Sequence, residues 1–188
     1  MLSKRPKRPM PKEREVPKND LAGLTLDTPE LVLAFCESRQ LIDHSSLKIE
    51  ELIAQTPGLS LRQADLGKFD AYIKKTGEKA YEIVVNKTHH KNRQRFSMAH
   101  EYAHFQLHRE KIEEMPEGEQ ILHRGSVRNP IETQANRFAA DILLPKSEFL
   151  TVLQRTAGNV PKMAEAFGVS QLALRYRAKS LGIGGHGV

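Results

Sequence analysis

Cysteine is nearly missing from this chain of 188 residues: Cys36 is its one thiol. A single cysteine excludes an intrachain disulfide and a zinc site built on paired thiolates. It lies in the apolar run Leu31-Val32-Leu33-Ala34-Phe35-Cys36 and reads as a small core residue rather than a nucleophile. A reducing cytoplasm fits that usage. Tryptophan is absent, which excludes little. No apolar run approaches the ~20 residues of a membrane span, and the N-terminus has no apolar stretch of the secretory kind. The expected location is cytoplasmic, without membrane contact. Hydrophobic residues make up 39%, enough for one core of ordinary size.

Net charge is also scarce over most of the chain. The formal total is +6, but residues 1–18 hold Lys4, Arg5, Lys7, Arg8, Lys12, Arg14 and Lys18 against Glu13 and Glu15, a balance of +5 that leaves about +1 elsewhere. The same tail contains Pro6, Pro9, Pro11 and Pro17, so residues 1–20 are expected to be disordered. Contact with DNA, RNA or an acidic partner is open to such a tail, but a solubility role is favoured.

Chemistry is concentrated at Phe96-Ser-Met-Ala-His100-Glu101-Tyr-Ala-His104-Phe-Gln-Leu-His108. His100 and His104, four apart on a helix, project from one face and can grip one Zn²⁺. Glu101 beside them can serve as general base on an activated water. Phe96, Ala99, His100, Ala103, His104 and Leu107 follow the helical period of an inward-facing stripe, and no Pro or Gly interrupts Asn92–Ile112. The rival reading is a pair of histidines that bind nothing.

A catalytic zinc needs a third protein ligand and one open position. His108 follows His104 by four residues with no glycine between, unlike the metzincin pattern. On one straight helix it would stand about 12 Å above His100, too far to share a metal. His108 is therefore expected to pack or to support a ligand. The better candidate is Glu132, at the start of a second amphipathic helix that Pro145 helps to end. Glu132, Ala135, Asn136 and Ala139 share a stripe, and the alanines allow close approach of the two helices. Glu132 can complete a His₂Glu set; Asn136, one turn on, can accept the free N–H of a ligand histidine. The alternative is a solvated first-turn glutamate favoured by the helix dipole. Such a set suits Zn²⁺, with Mn²⁺ or Fe²⁺ as alternatives.

The segments Arg95-Phe96-x-x-Ala99-His100-Glu101-x-x-His104 and Glu132-x-x-Ala135-Asn136-x-Phe138-Ala139-Ala140-x-Ile142-Leu143-x-Pro145 together resemble the ImmA/IrrE metallopeptidases. The resemblance runs from about Leu31 to Leu181. It implies a gluzincin-like fold, zinc held by His100, His104 and Glu132, and Glu101 as catalytic base. It also implies a protein substrate, typically a helix-turn-helix repressor encoded nearby and cleaved under stress or induction. Tyr102-Ala103 stands where many members have Leu-Gly; Tyr102 points away from the metal stripe.

The expected fold is α+β: a mostly helical, zincin-like metallopeptidase over 21–150 with a small three-stranded sheet, a helix-turn-helix-like segment over 151–182, and a flexible end at 183–188. Asp27-Thr28-Pro29-Glu30 starts a helix reaching about Gln40, and Ser45 or Ser46 starts another over Leu47–Gln55. Strands are expected at Leu59–Leu66, Phe69–Lys75 and Lys79–Asn86, with Lys79–Asn86 or its neighbour as the edge that receives substrate backbone. His89 and His90 are expected to be solvated. His123, in the polar connection between the two metal helices, is a candidate oxyanion stabiliser. Near the end, Ala164-x-x-x-Gly168-Val169-Ser170 looks like a helix-turn-helix, with Arg175, Arg177 and Lys179 expected on or near its exposed side. Two rivals to the peptidase reading follow: a non-catalytic regulator that binds DNA or a repressor through these helices and the tail, and a purely structural metal site.

Overall fold

The computed structural model describes residues 26–114 and 129–183. The expectations for the basic tail, for His123 and for residues 184–188 lie outside the described residues. Among the described ones, no helix is long and apolar enough to cross a membrane.

Thr28 caps α1 (Pro29–Ser38), its Oγ1 accepting from Leu31 N–H, with Pro29 at the first helical position and Glu30 in the first turn. The helix buries Val32, Phe35 and Cys36. Between this helix and the next lies a hairpin of two-residue strands, β1 (Ile42–Asp43) and β2 (Ser46–Leu47). The second helix, α2, spans Ile49–Gln55 and starts after Lys48. Neither Ser45 nor Ser46 caps it, which corrects the expected start. Ser46 belongs to β2, and the Ser45 hydroxyl donates to Glu148 at 2.7 Å.

A three-stranded mixed sheet follows: β3 (Leu59–Ala64), β4 (Ala71–Gly77) and β5 (Ala80–Asn86), in the order β3-β5-β4. Leu61 and Ile73 both register with Ile83, the first pair parallel and the second antiparallel. The last strand in sequence is thus the central one, and β3 and β4 are the edges. That places Lys79–Asn86 away from the edge and leaves the role to its neighbours. The continuous burial of Val84, Val85 and Asn86 matches a strand covered on both faces.

Against the sheet lies α3 (Lys91–Leu107), followed by the short α4 (Arg109–Glu113). Every residue from Ser97 to Phe105 is buried, so α3 runs through the interior rather than presenting one face to it. Its other side packs on α5 (Pro130–Leu143), which Asn129 caps and Pro130 opens. Ala99 and Ala103 of α3, and Ala135 and Ala139 of α5, are fully buried, and such small side chains let helix axes approach closely. Three helices complete the described residues: α6 (Lys146–Arg155), α7 (Val160–Phe167) and α8 (Gln171–Ser180). Gly168 turns α7 into α8 at φ 63°, and Ser170 caps α8. This is an α+β, zincin-like architecture.

Candidate metal centre

His90 starts α3, its Nδ1 accepting from Asn92 N–H. From there the unbroken helix sets His100 and His104 one turn apart, their ring centroids 4.7 Å apart. Both rings are inaccessible to solvent, and their Nε2 atoms face each other at 3.0 Å. Glu132 reaches them from the first turn of α5. Its Oε2 is 3.2 Å from His100 Nε2, and its Oε1 is 3.3 Å from His104 Nε2.

Donors at the corners of a tetrahedron, about 2.05 Å from a zinc ion, stand about 3.3 Å from one another. The separations of 3.0, 3.2 and 3.3 Å match that spacing. Two imidazoles and a carboxylate are also a donor set that zinc takes. The residues present therefore fit a metal, and His100, His104 and Glu132 are the one group of this kind among the described residues.

The outer nitrogens of both rings are engaged. His100 Nδ1–H donates to Asn136 Oδ1 at 3.0 Å, which leaves the Nε2 lone pair directed into the cluster. His104 Nδ1 is 3.1 Å from His108 Nδ1, and His108 Nε2 is 3.0 Å from Gln134 Oε1. Glu101, next to His100 on α3, is 2% exposed. Tyr102 is buried, and burial above all pushes its phenol up to about 12, so it stays neutral. Sequence reasoning missed the contact to Gln134. The available signals were the second four-residue step, from His104 to His108, and the nearness of Gln134 to Glu132.

Two expectations near the site are corrected. His89 is not solvated: its Nδ1 lies 2.9 Å from Asp70 Oδ1, which Arg93 also meets at 2.7 Å. Arg177 is not on the exposed side of α8. It is 8% exposed, its Nη1 is 2.6 Å from Asp141, and its Nε donates to Leu144 O at 2.9 Å. A guanidinium that arrives next to a carboxylate and a helix-end carbonyl is held inward by both. Arg175 and Lys179 remain exposed.

A groove of about 800 Å³ opens beside the cluster, between α3, α5 and α8. Phe96, Ala140, Leu172 and Tyr176 line it together with Asn136, the partner of His100.

A search of curated proteins finds no match for the chain. A family model for the IrrE N-terminal-like domain, a peptidase family, matches residues 54–179, which takes in α3, α5 and the whole cluster. The His-His-Glu cluster and this match agree, and the chain belongs to the ImmA/IrrE family of metallopeptidases.

Proposed function

We propose that this metallopeptidase is a zinc-dependent, site-specific endopeptidase whose substrate is a helix-turn-helix repressor encoded nearby. The observation that carries the enzymatic part is the convergence of His100 Nε2, His104 Nε2 and both Glu132 oxygens within 3.0–3.3 Å. In this reading those three residues would hold the metal. Asn136 keeps His100 in the tautomer that binds through Nε2. Bound zinc supplies Lewis acidity, lowering the pKa of a water and polarising the scissile carbonyl. Glu101 takes the proton from the attacking water and delivers it to the leaving amine. The edge strands of the sheet, β3 and β4, carry backbone groups to which an extended peptide could add. The repressor part rests on the family resemblance.

The test is Glu101→Gln, which keeps size and hydrogen-bonding atoms but removes the base. With the neighbouring regulator co-expressed, the unaltered protein should produce one discrete cut that a chelator abolishes. The variant should bind zinc normally and produce none. Full relief of repression by Glu101→Gln would refute the catalytic reading in favour of a binding regulator.

A further inference from the structure

His108 stands outside the ligand cluster, yet it is only 6% exposed and touches polar atoms on both sides. It sits where the long helix breaks: α3 ends at Leu107, His108 takes φ −131° and ψ 26°, and α4 begins at Arg109. Its N–H still bonds His104 O at 2.9 Å, and its ring lies 5.2 Å from the His104 ring.

A neutral imidazole carries one N–H, so two facing Nδ1 atoms need one ring to donate and the other to accept. Two polarities satisfy this. In the first, His104 Nδ1–H donates to His108 Nδ1, and His108 Nε2–H donates to Gln134 Oε1. His104 Nε2 then turns a lone pair towards Glu132. In the second, Gln134 presents its amide N–H₂ to His108 Nε2, every donor reverses, and His104 Nε2 points a hydrogen into the cluster. Only the first leaves His104 able to bind a metal through Nε2.

We propose that Gln134 and His108 form a positioning relay that holds His104 in its metal-binding tautomer. The inference rests on the metallopeptidase reading and extends it to two residues. The amide oxygen of Gln134 sets the direction, His108 transmits it, and His104 presents its lone pair. Helix α5 thereby supports both histidines from behind, His100 directly through Asn136 and His104 through one intervening ring. Gln134 is exposed, so its side chain can be changed without opening the core.

The full-length protein tests this through zinc affinity by chelator competition and through imidazole ¹⁵N shifts in the zinc-free state. His108→Phe should weaken zinc binding by about 10- to 100-fold, the usual loss when a ligand's outer partner is removed. Gln134→Glu, which can only accept, should tighten zinc severalfold. Gln134→Met, which does neither, should weaken zinc and move His104 from a pure Nδ1–H form to a mixture of tautomers. Gln134→Met, uncharged and read by the His104 tautomer, decides the matter even if His108→Phe does not fold. The Gln134→Glu gain should vanish in the His108→Phe background; an equal gain there would show a long-range charge effect and overturn the relay. Zinc uptake with no response to any variant overturns the relay alone. No zinc uptake by the unaltered protein overturns the metal reading and the relay with it.

Discussion

In the proposed metal site Glu132 is the one anionic donor, and its removal would leave only two neutral imidazoles to hold a divalent cation. Glu132→Ala should therefore retain the fold and lose zinc affinity by at least about 100-fold, as measured by chelator competition. Cys36 behaves oppositely, as a group whose chemistry is suppressed. Burial first, and then the charge of Glu37, push its thiol from an ordinary 9.0 up to about 12. The native protein should leave a thiol-disulfide reagent unreacted at pH 8 and titrate one thiol after denaturation. The same shift has a stability consequence. A group whose folded pKa lies above its unfolded value contributes stability that is complete below the unfolded pKa and is lost as pH rises through the folded one. For Cys36 that window runs from 9.0 to about 12, and for Tyr102 from 10.0 to about 12. Thermal melts should thus be insensitive to these groups up to pH 9 and fall steadily above it. The placement of Cys36 in the core was legible from its apolar run, because burial of a short hydrophobic stretch needs no knowledge of the partner.

Elements add constraints that no single side chain carries. Gly58 holds φ +75°, and a Cβ there would come within 2.4 Å of Lys79 O, just before β5. Gly58→Ala combines a strained left-handed backbone with a collision against main chain, so it should destabilise by about 1–3 kcal/mol in denaturant unfolding. The two metal helices were legible in outline because their signals are local: a helical period in both and, for the second, a proline beyond the end. The two-residue strands β1 and β2 were not, since a bridge that short has no periodicity and Ser45-Ser46 mimics a cap. Strand order was hidden for another reason. Which of three strands lies in the middle depends on a parallel pairing between β3 and β5, a non-local choice that spacing does not encode. Arg177 was misplaced on the same ground, its partner Asp141 lying on a different helix. Since that guanidinium also satisfies Leu144 O, Arg177→Met should cost about 1–3 kcal/mol of stability, read by thermal or denaturant melts.

At the scale of the molecule, the C-terminal helices are tied to the metal helices by their main chain. Arg95 Nε donates to Gly168 O at 3.0 Å and its Nη2 to Leu47 O at 2.8 Å, while Asn92 Nδ2 donates to Val169 O at 2.9 Å. Burial holds the Arg95 pKa below its ordinary value without making the group neutral. Deleting α7 and α8 would strip partners from Asn92, Arg95, Asp141 and Leu144 at once. The shortened chain should lose cooperative melting rather than survive as a smaller peptidase, a result checked by circular dichroism. Zinc should act on the whole in the other sense: free metal at about 100 times its Kd stabilises the folded state by about 2.7 kcal/mol, so a chelator should lower the melting temperature. The Arg95 contacts have a mechanical consequence as well. Arg95 and His100 are five residues apart on one uninterrupted helix, about 7.5 Å along its axis. A helix that short is stiff, so a ligand that displaced the Gly168 turn would shift the arm on which His100 is mounted, as a hand on one end of a lever moves the other.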